Sequence, residues 1–193
     1  MAKYPKAVLF DLDGTLLDSA PEMVAAVDAM RTARGQPPMS LEALRPHVSK
    51  GARAMVKATF PDVSEEERER WIPEFLDCYQ RALGRHGALF DGVDAMLVAL
   101  EKAGCVWGIV TNKPEYLARQ LMPVLGWEQR CAVLIGGDTL SVRKPDPLPL
   151  IVAAERIGVA PDACVYVGDD ERDIVAARGV RLPSVVALGG YPL

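Results

Sequence analysis

Four short polar segments carry the chemistry open to this chain: Asp11-Leu12-Asp13-Gly14-Thr15, Thr111-Asn112-Lys113, Lys144 within Arg143-Lys144-Pro145-Asp146-Pro147, and Gly168-Asp169-Asp170-Glu171-Arg172-Asp173. Asp11 and Asp13 stand two apart where an extended segment ends, so both can turn toward one bound group, and Gly14 permits the tight exit that such crowding needs. Carboxylates collected from separate segments repel one another unless a cation holds them, and hard oxygen donors of this kind suit magnesium. Asp11, Asp13, Asp138, Asp169, Asp170 and Asp173 make up that collection. A carboxylate meets an anionic substrate only where charge is neutralised, which magnesium, Lys144 and backbone amides would supply. The substrate implied is a phosphate ester.

The elements that must position these residues are five short apolar runs: Ala7 to Phe10, Val106 to Val110, Ala132 to Ile135, Cys164 to Val167 and Ser184 to Leu188. Each reads as a buried strand. Between the later ones lie helical patterns. Val93, Met96, Leu97 and Leu100 precede Gly104, and Leu148, Ile151 and Val152 run on to Ile157 and Gly158. Strands alternating with single helices are joined in parallel by crossovers, so the expected fold is α/β, a doubly wound, Rossmann-like parallel sheet. In such sheets ligands sit beyond the carboxyl ends of the strands, which is where the polar segments fall. Asp138, after Gly136-Gly137, would orient Lys144 or cap a turn.

The stretch between the first two runs lacks strand patterns and reads as a helical insertion. Ser19-Ala20-Pro21-Glu22 has the form of a capping box, repeated by Ser64-Glu65-Glu66-Glu67 before Trp71, Phe75, Cys78 and Tyr79 at helical spacing. Pro73 is expected early in that second helix, as a bend. Residues 17–86 form the expected lid, with 1–16 and 87–193 as the core, and Gly84, Gly87 and Gly92 are candidate hinges. Substrate choice falls to the lid, because the phosphate site meets only what every substrate shares. Lys50, Gly51 and Arg53 are the substrate-binding candidates there. His47 and His86 lie in no metal or nucleophile pattern.

Composition narrows the class. With 193 residues, 50% hydrophobic and 25% charged, the chain is an ordinary globular one rather than a disordered one. No apolar run is long enough to span a membrane, and Met1 to Lys6 leads into a strand rather than a signal segment. A net charge of -4 without a Lys/Arg cluster excludes a general nucleic-acid surface. Cys78, Cys105, Cys131 and Cys164, with no CxxC among them, fit reduced thiols in a cytoplasmic protein. A small phosphorylated metabolite is the expected partner, with neither nucleic acid nor membrane, and the protein is expected as a monomer or weak homodimer.

Taken in order, the four polar segments resemble the motifs of the haloacid dehalogenase superfamily, over residues 7 to about 191. The helical insertion after the first motif is similar to the small cap of the phosphoglycolate phosphatase-like branch. So are Val110-Thr111-Asn112-Lys113-Pro114 and Ile135-Gly136-Gly137-Asp138. Gly51-Ala52-Arg53-Ala54-Met55 and Trp107-Gly108-Ile109-Val110 further resemble the N-acetylmuramic acid 6-phosphate phosphatases within it. The resemblance implies that Asp11 attacks phosphorus to form an aspartyl-phosphate and that Asp13 serves as acid and base. It also implies that Asp11, the Asp13 backbone carbonyl and Asp169 hold magnesium, with Asp173 a ligand or an outer partner. Thr111 and the Asn112 backbone amide would donate to phosphoryl oxygens, and Lys144 would screen nucleophile and phosphate. A β-phosphoglucomutase-like phosphotransferase and a catalytically silent phosphate-binding protein are the rival readings.

Two features depart from the branch. Asp170 replaces a small hydroxyl residue, as an outer-shell acceptor or a solvated helix-start acid. Arg181 stands where a glycine is expected and is expected to distort the turn into the last strand. The sequence stops soon after Gly189-Gly190-Tyr191-Pro192, which is expected to expose sheet surface and favour association.

Overall fold

A computed structural model describes residues 5–188 and 191. The chain opens with β1 (Ala7–Phe10) and, after a turn, β2 (Leu17–Asp18). Four helices follow: α1 (Ala20–Thr32), α2 (Leu41–Leu44), α3 (Ala52–Thr59) and α4 (Glu65–Ala82). After β3 (Ala88–Leu89) the chain alternates α5 (Val93–Lys102), β4 (Val106–Val110), α6 (Glu115–Val124), β5 (Leu134–Ile135), α7 (Leu148–Arg156), β6 (Cys164–Gly168), α8 (Glu171–Gly179) and β7 (Ser184–Val186). Two compact units result, Met1–Leu17 with Leu89–Gly190, and Asp18–Ala88 with Tyr191–Leu193. The second unit thus takes Tyr191, which sequence alone placed with the core.

The first unit is built on a five-stranded sheet in the order β5-β4-β1-β6-β7, whose pairs are parallel. All four residues of β1 are buried, as its unbroken apolar run requires of a central strand covered on both faces. Leu9, Val110, Ile135 and Tyr166 pack with Leu150, Ala153 and Ala154 of α7 and Ala176 and Ala177 of α8. Trp107 of β4 meets Trp127 edge to face at 5.3 Å, and its indole N–H donates to Glu101 at 2.9 Å. The outer strands are shorter than their apolar runs: β5 keeps only Leu134 and Ile135, and β7 stops at Val186, leaving Leu188 94% exposed.

In the second unit α1 packs on α4, and the apolar side chains the two helices bury are Met23, Ala26, Val27 and Met30 on α1 and Phe75, Cys78 and Tyr79 on α4. Arg34 grips Glu74 through two nitrogens at 2.7 and 2.6 Å and lies 4.1 Å over Trp71. Ser64 caps α4 by accepting from Glu67 N at 3.2 Å. The corresponding box on α1 does not form. Ser19 Oγ is buried without a partner, Glu22 instead accepts from Gly84 N, and the Ala20 amide donates to Asp18 and to the Tyr191 hydroxyl. Pro73 falls near the middle of α4, which runs on through it.

Arg181 does not distort the last turn. It takes the left-handed backbone itself, φ 55, while Leu182 N closes onto Ala177 O at 2.9 Å and β7 pairs with β6 from Tyr166↔Ser184 onward. A side chain in that region costs about 1 kcal/mol relative to glycine. Arg181→Gly is therefore expected to stabilise the chain by up to about 1 kcal/mol, read as a higher urea midpoint; a lower midpoint would show that Arg181 makes a compensating contact. The four cysteines are unpaired, and no helix among the described residues is long and apolar enough to cross a membrane.

Candidate active site

Asp11 follows β1 directly. Its N–H donates to Val167 O at 2.8 Å, extending the ladder by one residue, and its Oδ1 accepts from Leu12 N at 2.8 Å. The chain then turns sharply through Gly14 at φ 83. A Cβ there would stand 2.3 Å from Asp169 Oδ2, so glycine both allows the turn and makes room for the second carboxylate. Thr15 Oγ1 donates to the other oxygen, Asp169 Oδ1, at 3.0 Å.

At the end of β6 the same economy recurs. A Cβ on Gly168 would lie 2.2 Å from Asp173 Oδ2, which accepts from Asp170 N at 3.0 Å. Asp170 in turn accepts from Arg172 N at 2.9 Å, completing a capping box at the start of α8, and its carboxylate is held by the Arg172 guanidinium at 2.8 Å. Asp170 is thus the helix cap, and of the two sequence readings the helix-start role is the one its contacts describe. Burial opposes its charge, but the Arg172 hydrogen bonds and charge prevail and hold its carboxyl below the usual range.

Lys144 ties these two ends together. Its Nζ lies 2.6 Å from Asp173 Oδ1, 3.1 Å from Asp11 Oδ1 and 2.7 Å from the Tyr166 hydroxyl. That hydroxyl accepts from Lys144 and gives its proton to Val110 O at 2.8 Å. Desolvation works against the ammonium, yet Asp11 and Asp173 outweigh it and keep Lys144 protonated above the ordinary lysine range. Thr111 extends β4, its N–H donating to Ile135 O at 2.9 Å, and its Oγ1 accepts from Lys113 N at 3.2 Å. Asn112 donates from Nδ2 to Lys144 O at 2.9 Å. Asp138 does not orient Lys144; it accepts from Glu115 N at 2.7 Å and so caps α6.

Two groups of the site have no role assigned from the sequence, Lys113 and Tyr166. Lys113 is 5% exposed and sets its Nζ 2.9 and 3.2 Å from the two oxygens of Asp13. Tyr166 was likewise read as core alone. The only local signals were a lysine directly after Thr111-Asn112 and a polar-tipped aromatic in a buried strand, whose hydroxyl must find a partner. Lys50, Gly51 and Arg53 belong to the second unit. Lys50 is exposed, Gly51 starts α3 at φ 83, and Arg53 is engaged with Glu69 at 2.5 and 2.7 Å.

The electrostatics explain why these acids need company. The Asp11 carboxyl is raised to about 7, with burial lifting it most, Lys144 drawing it down and Asp173 and Asp169 adding to the rise. Oxygens of Asp11, Asp169 and Asp173, all buried, lie within 4.8 Å of one another. Three converging carboxylates are a hard-oxygen donor set, and they fit a small divalent cation. The Asp13 carboxylate is not among them, being clasped by Lys113, which leaves its backbone carbonyl as the group that could join the set.

A parallel α/β sheet with a carboxylate nucleophile candidate after its central strand, and lysine and further acids at the neighbouring strand ends, defines a hydrolase built for phosphoryl groups. Residues 5–181 match the model of the haloacid dehalogenase-like hydrolases. A phosphoglycolate phosphatase of Xanthomonas campestris pv. campestris is 64% identical over 99% of this chain and 86% of its own length. An N-acetylmuramic acid 6-phosphate phosphatase of Pseudomonas aeruginosa is 44% identical over 96% and 83%. Among solved structures, that of a predicted phosphoglycolate phosphatase from Haemophilus somnus superposes with a TM-score of 0.86, at 26% identity, over 99% of this chain and 88% of that one. The chain belongs to the haloacid dehalogenase-like hydrolases and is a phosphatase of that family.

Proposed function

We propose that the protein hydrolyses a small phosphomonoester, phosphoglycolate foremost, through a covalent phosphoryl group on Asp11. The observation that carries this reading is the placement of Asp11: buried, in line with the sheet, held by Lys144 at 3.1 Å and followed two residues later by Asp13. The substrate comes from the 64% identical relative, and N-acetylmuramic acid 6-phosphate is the second reading, on the 44% identical one.

Asp11, Asp169, Asp173 and the backbone carbonyl of Asp13 would hold magnesium. When bound, the ion supplies positive charge against the clustered carboxylates and the phosphoryl oxygens. A carboxylate oxygen of Asp11 attacks phosphorus and the ester P–O bond breaks, while the Asp13 carboxyl gives its proton to the departing oxygen. Asp13, now a carboxylate, takes a proton from water as the water oxygen attacks phosphorus. The bond to Asp11 breaks and inorganic phosphate leaves. Throughout, the Thr111 hydroxyl and the Asn112 amide donate to phosphoryl oxygens, and Lys144 keeps Asp11 oriented. Specificity beyond the phosphate would involve Lys50, Gly51 and Arg53.

The test is phosphate release from phosphoglycolate, N-acetylmuramic acid 6-phosphate and other sugar phosphates, with magnesium and with chelator. Metal-dependent release of one preferred ester is expected. Transfer of the phosphoryl group to a second sugar hydroxyl without free phosphate would favour the mutase reading. Binding without turnover by folded, metal-loaded protein would favour the silent binder.

A further inference from the structure

We infer that the Tyr166 hydroxyl is a positioning group for phosphoryl transfer: it fixes the Lys144 ammonium and, through the Val110 carbonyl, ties it to the strand end that bears Thr111; the inference rests on the phosphomonoesterase reading above. Tyr166 stands in the middle of β6, between Leu9 of β1 and Ser184 of β7, and its side chain is buried in the cluster that holds Leu9, Val110 and Leu150. A phenylalanine would fill that place in the core, so the hydroxyl is the part that needs a reason. It accepts from Lys144 Nζ at 2.7 Å and donates to Val110 O at 2.8 Å, with Asp173 Oδ1 3.2 Å away.

The Val110 carbonyl comes to this bond because of where β1 stops. Val106 N donates to Lys6 O at 3.1 Å and the strands pair as far as Phe10↔Ile109, so one further step of the ladder would give Val110 O to the Leu12 amide. Leu12 N turns instead to Asp11 Oδ1 at 2.8 Å, which aims the nucleophile. A buried carbonyl released in this way needs another donor, and the Tyr166 hydroxyl supplies it. The same hydroxyl completes the surroundings of Lys144. That ammonium has three N–H groups, and its other two partners are Asp173 at 2.6 Å and Asp11 at 3.1 Å. With the two carboxylates alone, a charge on a flexible four-carbon stem is drawn to the nearer acid, Asp173; a third, neutral acceptor sets the direction of the remaining N–H. At the other end of the residue, Lys144 O accepts from Asn112 Nδ2 at 2.9 Å. Lys144 is thus fastened twice to the end of β4, its main chain through Asn112 and its ammonium through Tyr166 and Val110. These two fastenings set the distance between the charge beside Asp11 and the donors of Thr111 and the Asn112 backbone amide.

The test is Tyr166→Phe, alone and combined with Lys144→Met, assayed with the full magnesium-loaded chain as phosphate release from the ester that wild type prefers. The phenylalanine variant is expected to lose about 10- to 100-fold in kcat with KM within about threefold of wild type, because a displaced charge slows the chemical step without loosening the substrate. In the Lys144→Met background the same change is expected to cost less than about threefold, since the group it positions is gone. A phenylalanine variant with a lower urea midpoint but wild-type kcat overturns the inference and leaves the hydroxyl a bond of the core. A rise in KM alone overturns it too, and so does an equal loss of kcat in both backgrounds, which would mean that the hydroxyl acts without Lys144. Should Tyr166→Phe alone not fold, the double variant keeps the test open, because it removes donor and acceptor together. Measured against Lys144→Met, it then supports the inference if the two turn over nearly equally and overturns it if the double variant is about tenfold slower. No release by wild type from any ester overturns the phosphatase reading and the inference with it, whereas release by wild type with any of the contrary results overturns the inference alone.

Discussion

Asp11→Asn is expected to lower kcat by at least about 10⁴-fold and, at the same time, to make the metal-free protein more stable at pH 7.5. The first effect follows from losing the attacking oxygen: an amide of the same shape keeps the fold but supplies no carboxylate nucleophile. The second follows from where Asp11 sits. Burial raises its carboxyl to about 7, against 3.8 for the free group, even with Lys144 beside it. Between those two values the folded protein holds a proton that the unfolded chain has released. Stability therefore falls as pH rises through that window, by about 4 kcal/mol at most, and the loss is complete above it. The neutral amide has no such dependence, and Lys144 keeps Asp173 at 2.6 Å in its place. Urea unfolding in chelator at pH 5 and 7.5 is the check. Wild type should lose stability between the two, and the variant should lose much less. Magnesium added at pH 7.5 should restore wild type more than the variant. Parallel pH curves for the two proteins would mean that Asp11 is not the group that carries the penalty.

What could be read beforehand and what could not divides along the range of the contacts. The strands were legible because a central parallel strand buried on both faces leaves a continuous apolar run, as Ala7 to Phe10 do. The acids were legible because such sheets place ligands beyond their strand ends, and Asp11, Thr111 and Asp169 each follow one. The pairing of Lys113 with Asp13 was not, since nothing local links residues 100 positions apart. Tyr166 was hidden for a different reason: its ring belongs to the core and only its hydroxyl to the site. At Ser19 a local rule was applied correctly and lost. The Ser-x-x-Glu pattern was present, but Glu22 found the Gly84 amide and Tyr191 took the Ala20 amide, so tertiary partners displaced the box. Arg181 shows the converse, a residue of the wrong type kept in the geometry its turn demands because α8 fixes the chain before it and the β6–β7 ladder the chain after it.

Lys144→Met should act on stability and catalysis in the opposite sense to Asp11→Asn. The ammonium is 3% exposed and is the cation shared by Asp11 and Asp173; removing it leaves two buried carboxylates facing each other. Breaking a buried pair by deleting one partner destabilises by about 3–5 kcal/mol, and that loss is expected at pH 7.5 in chelator. Two recoveries should follow from the same cause. Lowering the pH to 5 protonates Asp11 more readily than in wild type, because Lys144 no longer draws its carboxyl down, so the deficit narrows. Magnesium should narrow it as well, because a divalent cation held by Asp11, Asp169 and Asp173 would offset the same carboxylate charge. Turnover should not recover with stability: kcat is expected to stay about 10²–10³-fold down even when metal has restored the fold, because the ammonium that opposes the phosphoryl charge beside Asp11 is still missing. Recovery of kcat in step with the unfolding midpoint would instead make Lys144 a structural counter-charge, and the Thr111 hydroxyl and Asn112 amide would have to carry the phosphoryl group without it.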